Sequence, residues 1–421
     1  MKLQKGYSKK ISDNLTLHIS IDDLNELQRF ISFNHAVHQE ESLKKYINRL
    51  FLDHPKRNEI YWIYIEKDDT KKMVSSIVLA PLEWDFDEIL IPVCEMGLVG
   101  TLTEYRNRGF LGILNELYEE IMKQKGYLLS IIRGIPYYYR KFGYEFALNL
   151  DERIFLNKNQ IPSKEFEYLP IRKATKDDLN FIKSIYNNQT EKFFIANRFD
   201  QHCFDHKFMN VDFDNNFSST YIIEVNGKLM SFFSIGMSYD SVGYSLVVPE
   251  VNEECMIKIL QFVNKLNKEK DQIIFQVNSN TKFYQYICSI GGKKNLGYGW
   301  QVKIPNIKRF LHAISPILER RIERSSYNGL TQDVIISDYR EIFTLIFKNG
   351  KIEEIEVKKG YPFQGKCDVQ IPSSFLIKLL LSDRSFEEIK FIVRDSILKP
   401  ESEELIKILF PKKPSLPDTY Y

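Results

Sequence analysis

Cysteine is sparse and unpatterned in this chain of 421 residues. The five, Cys94, Cys203, Cys255, Cys288 and Cys367, are odd in number, widely separated and never spaced as C-x-x-C. That argues against a disulfide framework or a structural zinc site and suits a reducing compartment. Long apolar runs are missing too. Phe375 to Leu381 is among the longest, and Lys378 interrupts it, so no segment approaches the ~20 residues that span a bilayer. The first residues are polar and lysine-rich, unlike a signal peptide. A cytoplasmic protein with no membrane partner is the expectation. Charge of one sign is also lacking: 58 Lys and Arg against 56 Asp and Glu leave +2. The whole molecule therefore makes no case for nucleic-acid binding, and any anion site must be local.

What is present is length enough for two or three domains, and an ordinary globular composition of 43% hydrophobic and 27% charged residues. One stretch concentrates the chemistry. Val99 to Gly112 holds Arg106, Asn107, Arg108, Gly109, Phe110 and Leu111, between a strand-like run (Ile89 to Leu98) and a helix-like run (Leu111 to Lys125). A strand, a basic glycine-bearing turn and a helix start make a phosphate site. Backbone N–H groups point out of the turn, and the helix dipole favours negative charge there. Gly109 lacks a Cβ, so an anion can approach the backbone.

About thirty residues further on comes Tyr138-Tyr139-Arg140-Lys141-Phe142-Gly143-Tyr144. Together the two segments resemble the acyl-CoA site of the GNAT acetyltransferases. Arg106 and Gly109 match that family's Arg-x-x-Gly-x-Gly/Ala turn, while Leu111 departs from its last position. The departure, and the tyrosine segment, are similar to the "enhanced intracellular survival" (Eis-like) acetyltransferases. The resemblance implies an α/β chain of mixed sheets: two GNAT-like domains in tandem (1–160 catalytic, 161–305 degenerate), then a sterol-carrier-like α+β domain (306–421). It implies acetyl-CoA as cosubstrate, no metal, and a small cationic amine or a peptide as acceptor, aminoglycosides and polyamines being acceptors within the family. It also implies a homo-oligomer, relatives often being hexameric. Leu98, Val99 and Arg106 to Leu111 would hold the cosubstrate, the strand backbone near Leu98 and Val99 polarising the thioester carbonyl.

By the same resemblance Tyr139 is the general acid for the departing thiolate. Its neighbours Tyr137, Tyr138 and Tyr144 are rivals for the role. The proton acceptor has two candidates. One is the terminal carboxylate of Tyr421, by resemblance. The other is Glu95, four residues before Val99 and so expected on the same strand face. Trp84, Asp85, Asp87 and Glu88 precede the motif strand and are expected to attract a cationic amine. Asn34, His35 and His38 fall where the family shapes its acceptor pocket. His202 and His206 stand at i and i+4 with no third metal ligand evident. Arg320 to Arg324 reads as a mixed-charge helix face. The alternative function is a non-catalytic carrier or interaction protein working through 306–421.

Periodicity sets out the elements. A helix is expected over Asp22 to Phe33, a hairpin over Glu59 to Lys67 and Met73 to Leu79, and a strand over Tyr127 to Ile132. After a polar break at 158–164 the scheme restarts: a strand and helix from Leu169, a hairpin (Thr220 to Val225 and Leu229 to Ile235), a strand (Tyr244 to Val248), a helix (Glu253 to Lys268) and a strand (Gln272 to Val277). In this repeat the turn reads Pro249-Glu250-Val251-Asn252-Glu253-Glu254, without arginine or glycine, and is expected not to bind CoA. Beyond Pro305, strands are expected around Asp333 to Val357 and helices over Pro372 to Leu381 and Glu403 to Phe410.

Overall fold

The computed structural model describes residues 3–40, 42–150, 152–208, 218–237, 242–268, 270–295, 297–361 and 366–418. It divides into two units: Met1–Leu148 with Trp300–Lys413, and Asn149–Gly299 with Pro414–Tyr421.

The first unit opens with β1 (Ser8–Ser12), β2 (Leu15–Ile19), α1 (Leu24–His38) and α2 (Ser42–Asn48). Asp23 caps α1 and forms a capping box with Glu26, satisfying amides that the first turn leaves unpaired. An antiparallel meander follows: β3 (Tyr61–Lys67), β4 (Met73–Phe86) and β5 (Ile89–Thr101). Then come α3 (Phe110–Lys125), β6 (Leu129–Ile132) and β7 (Glu145–Asn149). β3 is buried on both faces because helices cover both. Trp62 and Tyr64 meet Phe30 of α1, ring centroids 4.7 and 5.5 Å away. Tyr61, Ile63 and Ile65 belong to the cluster that holds Leu114, Leu117, Tyr118 and Ile121 of α3. Each such buried side chain contributes roughly 1.5–3 kcal/mol. Gly126, left-handed at φ 79°, ends α3 by donating to its last carbonyls.

The second unit contains β8 (Glu152–Asn157), β9 (Ile171–Lys173), α4 (Leu179–Thr190), β10 (Ile195–Asn197), α5 (Gln201–Phe208), β11 (Ser218–Val225), β12 (Lys228–Met237), β13 (Tyr244–Val247), α6 (Glu253–Leu266), β14 (Gln272–Val277), α7 (Lys282–Ser289) and β15 (Lys293–Asn295). Its sheet runs β15-β8-β14-β13-β12-β11-β9. The sequence repeat is visible in the ladders. β3-β4-β5-β6 and β11-β12-β13-β14 both pair antiparallel, antiparallel, then parallel, with a helix before the parallel strand.

Two strand placements have no local signal. β8 follows β7 directly in sequence, yet it pairs with β14 (Gln272↔Asn157) in the second unit's sheet. β16 (Gly299–Lys303) pairs with β6 (Gln301↔Ile132), and the first unit's order is β1-β2-β3-β4-β5-β6-β16-β7.

Back in the first unit come α8 (Ile307–Glu323), β17 (Gln332–Ser337), β18 (Glu341–Lys348), β19 (Lys351–Lys359), β20 (Val369–Gln370), α9 (Ser373–Leu380), α10 (Phe386–Ile392), β21 (Ile397–Leu398) and α11 (Glu403–Leu409). This sheet runs β19-β18-β17-β20-β21. The apolar stripe of α8 (Phe310, Leu311, Ile314, Leu318) and the inner residues of α9 (Leu376, Leu379) are fully buried. β22 (Ser415–Leu416) belongs to the second unit.

Candidate active site

The site in the first unit is made by two strands that part. β5 and β6 pair in parallel at Val93↔Leu129, Cys94↔Ser130 and Glu95↔Ile131, and the pairing stops there. β5 runs on to Thr101, held on its other side by β4. Along that extension lies a bulge. Ser76 pairs with Gly100 but Val78 with Gly97, so Leu98 and Val99 stand opposite Ile77 alone. Leu98 sits at φ 47°, a left-handed geometry that a β-strand does not otherwise contain. A bulge leaves a residue's main-chain groups off the ladder and turns them outward. Two buried serines of β4 fix it from behind: Ser75 Oγ donates to Gly100 O (2.9 Å) and Ser76 Oγ to Leu98 O (3.4 Å).

The chain then turns into α3. Asn107 (φ 61°) and Gly109 (φ 77°) are both left-handed, and Gly109 is the N-cap. Glycine supplies no capping oxygen, and the first turn carries no acidic residue. The leading amides of the helix therefore face outward with the positive end of its dipole. Arg106 Nε donates to Thr101 O (3.3 Å), and Arg108 donates to Glu104 O (3.2 Å) while lying over the Tyr105 ring. The nearby Glu104 carboxylate is engaged by Lys72 at 2.9 Å. The equivalent end of α6 is closed: Asn252 caps it through Cys255 N, and Glu253 and Glu254 occupy its first turn. Glu250 beside it binds Lys192 (2.5 Å) and Lys282 (3.4 Å). Anion binding is favoured at α3 and opposed at α6.

Tyr139 lies in a short 3-10 turn (Tyr138–Phe142) after β6 and is buried. Its ring is edge-on to Tyr138 (5.2 Å) and Tyr144 (6.2 Å). A Cβ on Gly134 would fall 2.2 Å from the Tyr139 ring, so that position admits only glycine without displacing the phenol. Tyr144 is fixed in turn by a buried chain: its hydroxyl meets Ser130 Oγ (2.6 Å), Ser130 meets Tyr118 (2.8 Å), and Tyr118 meets Cys94 Sγ (3.3 Å). Burial pushes the Cys94 thiol up to about 12 and the Tyr118 and Tyr144 phenols well above their ordinary range, so the chain stays neutral. Tyr137 and Tyr138 are more exposed than Tyr139.

Glu95 is buried and accepts from both Nε (3.2 Å) and a terminal nitrogen (3.0 Å) of Arg133, whose guanidinium lies over Trp300. The expected sharing of a face with Val99 does not hold. Val99 packs with Cys94 and Met96 on the α3 side, while Glu95 points to the opposite one. The bulge at Leu98 inserts a residue and shifts the alternation by one.

The acidic run before the motif strand is also displaced from the site. Trp84 is fully buried at 6.2 Å from Trp300, Asp85 accepts from Glu88 N, and Asp87 binds Arg320. These residues lie at the β4–β5 hairpin, whose turn holds Asp87 and Glu88 at φ 47° and 75°. Nine residues of strand, roughly 30 Å, separate that turn from the bulge. Between α1 and α2 there is a cavity of about 320 Å³ lined by Ile31, Ser32, His35, Glu40, Leu43 and Lys44. Tyr421 lies outside the described residues. Among the described residues, no group of three His, Cys, Asp or Glu could hold a metal, and no helix is long and apolar enough to cross a membrane. Gly134, Ser75, Ser76 and Arg133 escaped sequence reasoning. Only Gly134, a glycine just past a strand, carried a local hint.

Residues 21–147 match the acetyltransferase (GNAT) domain model. No curated protein matches the chain by sequence. Among solved structures it is similar to a GCN5-related N-acetyltransferase from Anabaena variabilis ATCC 29413 (15% identity, 95% of this chain and 98% of the other, TM-score 0.66). A GCN5-related N-acetyltransferase from Kribbella flavida is also similar (13%, 98% and 100%, 0.67), as is Eis1 from Mycobacterium abscessus (11%, 94% and 98%, 0.60). At these identities the likeness is one of fold.

Proposed function

We propose that the chain, whose residues 21–147 match the acetyltransferase (GNAT) domain model, moves an acetyl group from acetyl-CoA to an amine by direct attack on the thioester. The observation that carries the reading is the uncapped, acid-free N-terminus of α3 beside Arg106 and Arg108, set at the end of the parted edge of β5. In this reading the amides of Gly109, Phe110 and Leu111, with Arg106, Asn107 and Arg108, hold the pyrophosphate. The bulge at Leu98 and Val99 offers main-chain groups to the thioester carbonyl. Tyr139 protonates the leaving thiolate. A phenol of pKa ~10 is a weak acid for a thiolate of pKa ~8.5, so its rigid packing supplies the positioning.

For the proton acceptor, the resemblance favours the terminal carboxylate of Tyr421, and an extension fused after that residue would abolish turnover in that case. Glu95 takes the role if the extended chain stays active. Its ion pair with Arg133 supports a positioning part instead. The acceptor is read as a small cationic amine or a peptide. The domain plan is catalytic 1–160, degenerate 161–305 and sterol-carrier-like 306–421, save that β8 (Glu152–Asn157) joins the sheet of the second copy and β16 (Gly299–Lys303) that of the first. The shared ladder order of the two units supports the tandem copies. The carrier alternative draws no support from the packed stripes of α8 and α9.

Calorimetry with acetyl-CoA tests the reading. The parent is expected to bind in the micromolar range, and Arg106→Glu to lose at least tenfold, since it reverses a charge at the phosphates. A folded parent that fails to bind would overturn it.

A further inference from the structure

In the second unit β13 and β14 also part. Their parallel pairing covers only Tyr244↔Phe275 and Ser245↔Gln276. The α6 end of this cleft, capped by Asn252 and carrying Glu253 and Glu254, opposes anions, but the cleft is not vacant. A cavity of only about 40 Å³ remains, bounded by Leu246 and Val247 of β13, by Val248 and Asn278 just past the two strands, and by Leu416, Pro417 and Asp418. The chain's own segment 414–418 is seated there.

Main-chain groups hold that segment. Phe194 N donates to Pro414 O (2.9 Å). β10 and β22 pair in parallel, Ile195↔Ser415 and Ala196↔Leu416. Where the ladder ends, the buried side chain of Asn197 continues it. Its Nδ2 donates to Asp418 O (2.7 Å), and its Oδ1 accepts from Asp418 N (2.5 Å), as a neighbouring strand would do. From the far side Asn280 Nδ2 donates to Ser415 O (3.0 Å). Side chains add selectivity: Pro417 is buried and Lys207 binds the Asp418 carboxylate at 2.6 Å.

We infer that the parted-strand cleft of the second unit is a peptide-binding groove for an extended Ser-Leu-Pro-Asp segment, with Asn197 as the residue that reads its backbone. The degenerate copy keeps the geometry of an acyl-CoA cleft and uses it for a strand. Every residue in this inference lies in the second unit, so it is tested apart from acetyl-CoA binding, although the seated segment comes three residues before Tyr421, the candidate proton acceptor.

The test is binding in trans. A chain ending at Lys413, checked for folding by circular dichroism and a melting curve, is titrated into a fluorescent peptide of residues 414–421. Saturable binding is expected, weakened at least tenfold by Asn197→Ala and absent for a scrambled peptide. Equal binding by the scrambled peptide or by Asn197→Ala, or none by a folded chain, overturns the inference. Should the shortened chain not fold, hydrogen exchange on the intact protein decides. Asn197→Ala should speed exchange at Leu416 and Asp418 at least tenfold, and unchanged rates refute the groove. Acetyl-CoA binding by Asn197→Ala is expected to equal the parent's, which separates failure of this inference from failure of the acetyl-transfer reading.

Discussion

Tyr139 owes its position to a missing atom. Gly134 leaves room for the phenol ring, and any Cβ there would sit inside it. Two substitutions separate the hydroxyl from its placement. Tyr139→Phe keeps the packing and removes the proton, so the melting temperature should hold while kcat falls about 100-fold or more, within the range of general-acid contributions. Gly134→Ala keeps the hydroxyl and moves the ring. It should cost about 1–3 kcal/mol of stability through overpacking, with a comparable loss of turnover. Unchanged turnover in Tyr139→Phe would remove the acid assignment. Glu95 teaches the opposite lesson. Its spacing from Val99 predicts a shared face, but the bulge at Leu98 carries Val99 to the opposite face, and Glu95 is paired with Arg133.

Helix ends carry the proposed function at the next scale. α3 and α6 occupy the same step of the two folds, and their first turns differ in charge and capping. Gly112 lies in the first turn of α3 with open space around its Cα. Gly112→Asp should stabilise the helix by about 0.5–1 kcal/mol, through propensity and the dipole. The same carboxylate should weaken acetyl-CoA binding at least tenfold. A melting curve and a titration must thus move in opposite senses, and unchanged affinity would mean that phosphates bind elsewhere.

A second end governs acid stability. The Arg172 guanidinium, at 2.7 and 2.8 Å, holds the Asp178 carboxyl down to about 2 from an ordinary 3.8, with Thr175 N adding a hydrogen bond ahead of α4. Because the folded value is depressed, this stability is complete above pH 3.8 and is lost as pH falls towards 2. Arg172→Leu should make the second unit unfold at higher pH in an acid titration followed by circular dichroism. An unmoved midpoint would show that the pair contributes nothing there.

At the scale of the molecule, the chain holds two copies of one ladder, and of their helices α3 and α6 the first has the open start. Calorimetry should accordingly return one acetyl-CoA per chain. A stoichiometry of two would show that capping by Asn252 and the pair Glu253 and Glu254 do not close the second cleft.

Much of this was legible in the residues. The strand, basic turn and helix of 89–125, the hairpins, the repeat and the barren turn at 249–254 all follow from local periodicity, glycine placement and charge. These act over a few residues, and the sequence by itself determines them. The pairing of β8 with β14 and of β16 with β6, the left-handed bulge at Leu98, the room that Gly134 makes for Tyr139, and the seat of 414–418 beside Asn197 were decided only by the tertiary structure. All but the Gly134–Tyr139 fit depend on groups tens to hundreds of residues apart meeting at one place, and no local pattern records which distant backbone will satisfy an open strand edge.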